Sequence, residues 1–110
     1  MGDTLGEFEQ MVLLALLRRG GEAYGASLHE EILRSTGRDV AVPAIYVTLG
    51  RLEEKGLVSV RREPRVSIRG GHARKLFVLS DPGREALART RAFLDRLWGD
   101  VDLRSAGGEA

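Results

Sequence analysis

The sequence predicts a mainly α-helical α+β domain in which three short helices are followed by a small basic β-hairpin and a last amphipathic helix. Three observations carry that expectation. Apolar residues recur at helical spacing through the first half of the chain, the period drops to two after Gly56, and a helical, heptad-like period returns after Pro82. With 110 residues the chain has the size of one domain and room for a modest core.

Thr4 and Glu7 have the spacing of a capping box, and Phe8, Met11, Val12, Ala15 and Leu16 follow at helical intervals. Leu13, Leu14 and Leu17 widen the apolar surface beyond one stripe. A helix apolar nearly all round is more than so small a chain can cover, so Phe8, Met11 and Val12 are expected to meet a second subunit. Arg18-Arg19-Gly20-Gly21 ends the helix with cations and then glycine.

A second helix is expected from about Tyr24 to Ser35, with Tyr24, Leu28 and Ile32 in one stripe, Leu33 beside them and Gly37 as a left-handed stop. His29, Glu30 and Glu31 fall on its polar side. Neighbouring carboxylates point to different helix faces, so they read as solvation and not as an acid/base pair.

The third helix follows a short connector and is the one the rest is organised around. Pro43 suits its first turn, Ala41 and Val42 offer no side-chain cap, and Ile45, Leu49 and Leu52 form the stripe that faces a core. The opposite side carries Pro43, Val47, Gly50 and Glu54, flanked by Ala44 and Arg51 on one side and Tyr46 on the other. Small groups with one long cation let a backbone approach a DNA groove, where Arg or Tyr reach bases or phosphates. Alone, that face describes many solvated helices; the segment after it changes the reading.

Val58 and Val60 alternate with Ser59 and Arg61, and a second alternating run, Lys75 to Leu79, follows a loop containing Arg65, Arg69, Gly70, Gly71, His72 and Arg74. Between Arg61 and Lys75 stand six Lys/Arg against one acid, the composition of a hairpin that meets a phosphate backbone. Residues 1–40 hold 4 Lys/Arg and 7 Asp/Glu, residues 41–80 hold 8 and 3, and residues 81–110 hold 5 and 6. The formal net charge of +1 therefore hides a basic middle.

Ser80-Asp81-Pro82 starts the last helix. Leu87, Leu94 and Val101 recur at intervals of seven, with Phe93, Leu97 and Trp98 near the seam. A single helix with such a seam wants a partner, and a homodimer is the economical one. The expected divisions are 1–80 for the DNA-binding part, 81–104 for a dimerisation helix and 105–110 for a disordered tail.

Enzyme chemistry finds little support. The chain has no cysteine, its two histidines, His29 and His72, are far apart in sequence, and neither a Gly-x-Ser-x-Gly nor a His-Glu-x-x-His pattern occurs. No cofactor or metal is implied. The longest apolar run, Met11 to Leu17, is too short to span a bilayer, and the first residues lack the pattern of a signal peptide, so a cytoplasmic location is expected.

The order of elements is the plan of a winged helix-turn-helix with an appended dimerisation helix. Leu5-Gly6-Glu7-Phe8-Glu9, Tyr24-Gly25, the run from Ala44 to Leu57 and the run from Arg74 to Leu87 together resemble a PadR-family transcriptional regulator of the short form. The resemblance implies a dimeric bacterial repressor that binds a near-palindromic operator through its third helix and wing and releases it on a signal. It carries Tyr46, Thr48 and Arg51 as groove or backbone contacts, with Arg74 and Lys75 as the base of the wing. The full expected DNA surface adds Pro43, Ala44, Val47, Arg61, Arg62, Arg65, Arg69 and His72 to these. The expected dimer interface comprises Phe8, Met11, Val12, Leu87, Leu94, Leu97, Trp98 and Val101, and Trp98 either simply packs that interface or also serves as a stacking wall for a small hydrophobic effector. The alternative is a winged-helix module that binds a protein through the same surface.

Overall fold

The computed structural model describes residues 4–63 and 74–104. Helix α1 spans Glu7–Arg18, α2 Gly25–Thr36 and α3 Val42–Glu54; strands β2 (Val58–Glu63) and β3 (Arg74–Leu79) form the hairpin, and α4 spans Asp81–Trp98. A two-residue strand β1, Glu22–Ala23, adds to β3 with Glu22 opposite Val78 and Ala23 opposite Phe77, giving an antiparallel sheet of order β1-β3-β2. Two residues are too few to show a period, so this strand leaves no trace in the sequence pattern.

The core lies where α1, α2 and α3 meet the inner face of the sheet. Val12, Leu13 and Leu16 of α1, Leu28 of α2, and Ile45, Leu49 and Leu52 of α3 are completely buried there. Val12 is thereby corrected: it is buried in the core of its own chain and is closed to a second subunit. Phe8 and Met11 also lean on this core, partly buried. The exposed apolar residues of α1 are Leu14 and Leu17.

Gly6 and not Thr4 caps α1, and Glu9 closes the turn by accepting from the Gly6 N–H at 3.2 Å. Glu9 also receives Lys55 Nζ at 2.7 Å, tying the end of α3 to the start of α1. Burial raises the Glu9 pKa, but the bonds from Lys55 and Gly6 outweigh it and leave the carboxyl below its usual range. At the end of α2, Gly37 takes φ +79°, the left-handed stop its position predicts.

Glu31 is the second correction. It is buried, and its carboxylate is held by Arg18 Nε and Arg19 Nε at 3.0 Å each, an Arg34 guanidinium nitrogen at 2.6 Å and Ser35 Oγ at 2.7 Å. Hydrogen bonds from Ser35 and then Arg18 depress its pKa to about 2. Glu30 alone is the solvated carboxylate expected of the pair, 3.8 Å from Arg19. Leu33, expected beside the buried stripe, is exposed.

Helix α4 is locked to the turn after α3. Ser80 Oγ accepts from Gly83 N at 3.1 Å and donates to Gly56 O at 2.7 Å, while Ser80 N donates to Leu57 O at 3.1 Å. A Cβ on Gly83 would lie 2.2 Å from Leu57 O, so only glycine permits this approach. Further along, Thr90 is buried and accepts the Leu5 N–H at 2.9 Å. The helix ends at Trp98, with Gly99 at φ +46°. It is shorter than the 81–104 expected, and Val101 lies in the turn beyond it.

Candidate nucleic-acid interface

Four positions of α3, Ile45, Thr48, Leu49 and Leu52, point inward at the i, i+3, i+4, i+7 spacing of a buried helical face. Thr48 is 5% exposed and is therefore no groove contact: three residues after Ile45, it falls within the buried arc. Pro43, Ala44, Tyr46, Val47, Gly50 and Arg51 are exposed, so the opposite face is largely as the sequence implies.

Tyr46 is anchored as well as exposed. Its ring meets Phe77 of β3 edge-on, with centroids 6.1 Å apart, and lies against Gly25 at the start of α2. The helix that faces outward is thus seated on both its helix-turn-helix partner and the sheet.

At the base of the wing, Arg61, Arg62, Arg74 and Lys75 are all exposed. Arg61 pairs with Glu22 at 3.2 Å and Glu63 at 3.6 Å. The Tyr24 hydroxyl donates to Glu63, and the Arg74 guanidinium stacks 3.8 Å above the centre of the Tyr24 ring. The bond to Glu63 holds the phenolic proton and pushes the Tyr24 pKa up. Among the described residues, Arg51, Arg62 and Lys75 form no ion pair. Arg65, Arg69 and His72 lie outside the described residues.

Helix and wing converge on an open hollow of about 390 Å³ lined by Tyr24, Ala26, Tyr46, Arg74 and Lys75. Tyr24 and Ala26 are additions to the expected surface, and the Tyr24-Gly25 pair is the sequence signal that points to them. Two cations and two phenols around a concave surface suit an anionic, partly planar ligand.

A second exposed region lies on α4. Phe93, Leu94, Leu97, Trp98 and Val101 are 39–65% exposed, an apolar strip continuous with Leu103. Leu87, by contrast, is half-buried against the chain's own core. Between α1 and α4 runs a groove of about 440 Å³ whose apolar lining is Leu14, Leu17, Leu87 and the alanines 88 and 92.

The family model of PadR-like transcriptional regulators matches residues 13–89, from the first helix into α4. The chain belongs to the PadR-like family of transcriptional regulators. Its members are regulators and not enzymes. A PadR-family transcriptional regulator from Eggerthella lenta is 25% identical with a TM-score of 0.70, the match covering 92% of this chain and 88% of that one. F93 from STIV, a winged-helix DNA-binding protein, is 18% identical with a TM-score of 0.65, covering 86% and 95%. Bacillus subtilis PadR in complex with operator DNA is 21% identical with a TM-score of 0.63, covering 74% of this chain and 45% of that one. The fold of this PadR-like chain is therefore the winged helix-turn-helix. No curated protein sequence matches it. No helix among the described residues is long and apolar enough to cross a membrane.

Proposed function

We propose that this PadR-like regulator is a sequence-specific, homodimeric DNA-binding repressor of the bacterial cytoplasm. The observation that carries the reading is the hollow lined by Tyr46 of α3 and by Arg74 and Lys75 of the wing, in which an exposed helix face and two cations share one concave surface. In this reading Pro43, Ala44 and Val47 give shape and methyl contacts in the major groove, Arg51 reads bases or anchors phosphate, and Tyr46 meets the backbone. Arg61, Arg62, Arg65, Arg69, His72, Arg74 and Lys75 form the wing's electrostatic footprint. Bacillus subtilis PadR, which shares this fold, forms a complex with operator DNA, and this supports the DNA-binding reading.

Residues 1–80 act as the DNA-binding unit, and α4 brings two of them together through Leu94, Leu97, Trp98 and Val101. Two third helices related by a dyad then read half-sites about 10 bp apart in a near-palindromic operator. Trp98 offers a stacking wall to a planar apolar effector whose binding releases the DNA; such compounds should shift its fluorescence and the melting temperature, and unchanged values remove that part of the reading.

The test is binding to duplexes from the region upstream of the protein's own coding sequence. One of them should bind at least ~10³-fold tighter than random duplex at physiological salt. Equal affinities across all duplexes would overturn the proposal.

A further inference from the structure

Glu63 and Arg74 stand directly opposite each other in the β2–β3 ladder, the register at which a carboxylate and a guanidinium ordinarily pair across strands. They do not pair. Glu63 accepts the Tyr24 hydroxyl and forms an ion pair with an Arg61 nitrogen at 3.6 Å, and Arg74 lies over the Tyr24 ring, 3.8 Å from its centre. One side chain thus occupies both partners, its hydroxyl on the acid and its π-face under the cation.

We infer that Tyr24 is a positioning residue that keeps the Glu63 carboxylate off Arg74, so that the Arg74 guanidinium stays available to a DNA backbone phosphate in the hollow beside α3. The inference rests on the DNA-binding reading above for its ligand, and on the side-chain geometry alone for its device. Three features of the surroundings agree with it. A guanidinium held over a ring by a cation–π contact keeps N–H donors for a second partner, which an ion pair with a carboxylate would occupy. Arg61 supplies Glu63 with a cation, so the acid is compensated without Arg74. Arg74, Lys75 and Tyr46 line one hollow, which places the spared charge beside the helix that faces the groove.

The chemistry also explains why a tyrosine is needed. Phenylalanine would retain the stacking surface and lose the hydroxyl, leaving Glu63 free to turn toward its cross-strand neighbour. An intramolecular ion pair there would subtract one cation from the DNA surface, and neutralising one phosphate fewer lowers the salt dependence by about one unit of slope.

The experiment measures DNA affinity against salt for the full chain, its Tyr24→Phe variant and the double variant Tyr24→Phe/Glu63→Gln, with Arg74 followed by its Nε–Hε resonance without DNA. The single variant should bind about tenfold more weakly at ~0.1 M salt with a slope reduced by about 1, and the double variant should recover both. Weakened binding that the double variant fails to recover, at unchanged slope, would overturn the inference and leave Tyr24 a packing residue. Should the parent protein bind no DNA, the functional reading fails separately, and the resonance decides the device: a shift in the single variant that the double variant reverses supports it, and no shift overturns it.

Discussion

The ring of Tyr46 occupies the space that a side chain on Gly25 would need: a Cβ there would lie 2.4 Å from the phenol carbon that bears the hydroxyl. The first residue of α2 and an outward-facing residue of α3 therefore set each other's position, and the exposed face of α3 depends on the absence of a methyl group on another helix. Gly25→Ala must push the ring away or spread the two helices.

Because Tyr46 is 45% exposed, it has room to swing outward, and the cost to folding should stay within about 1–3 kcal/mol. The cost to recognition should be larger, since the displaced ring enters the surface assigned to DNA. Paired melting and DNA-binding curves for Gly25→Ala check this; a variant that melts lower yet binds as tightly as the parent would show that Tyr46 is not part of the interface.

Gly83→Ala presents a harder clash. Its Cβ would meet a backbone carbonyl, Leu57 O, at 2.2 Å, and no rotamer change can relieve that. The turn after α3 and the start of α4 must separate, disturbing the Ser80 bonds to Gly56 and Gly83. A loss of about 3 kcal/mol in chemical unfolding is expected, at the upper end for overpacked sites. A loss below that of Gly25→Ala would mean the junction is looser than its geometry implies.

Glu31 gives the fold an acid limb. Folding depresses its pKa from 4.5 to about 2, so its contribution is fully present above the unfolded value and is lost as pH falls through the folded one. The melting temperature should decline between those two values. Glu31→Gln should melt lower than the parent near neutral pH and approach it toward the acid end of that window. Parallel curves for the two proteins across the window would contradict the assignment.

Much of this architecture is legible because periodicity reports burial. The Ile45, Leu49, Leu52 stripe, the two alternating runs of the hairpin and the Ser80-Asp81-Pro82 start all carry local signals that tertiary structure leaves intact. Thr48 escapes because a short hydroxyl side chain reads as polar even inside a buried arc. Glu31 escapes for a related reason: burying a carboxylate requires Arg18, Arg19 and Arg34 to converge on it from two helices and the turn between them, and no local pattern announces that. Val12 reads as outward because an all-apolar helix gives no indication of which side its own chain covers. At the site, the Tyr24-Gly25 pair is visible as a motif, but its contacts to Glu63, Arg74 and Tyr46 span distant parts of the chain.

The apolar strip on α4 should make association depend on a few residues. Leu97 is 65% exposed, so Leu97→Glu should leave the melting of the monomeric fold nearly unchanged, within about 0.5 kcal/mol. It should abolish concentration-dependent dimerisation in sedimentation experiments. A variant that still dimerises would move the interface elsewhere, with the Leu14–Leu87 groove between α1 and α4 the next surface to test.

The most direct test of the central claim is the salt dependence of binding to a near-palindromic operator and to random duplex, compared for the parent, Arg51→Ala and Lys75→Ala. Arg51→Ala should lose discrimination between the two duplexes, while Lys75→Ala should weaken binding to both and lower the slope by about 1. Binding that ignores salt, or two substitutions with the same effect on both duplexes, would contradict the assignment of α3 to sequence and the wing to phosphate.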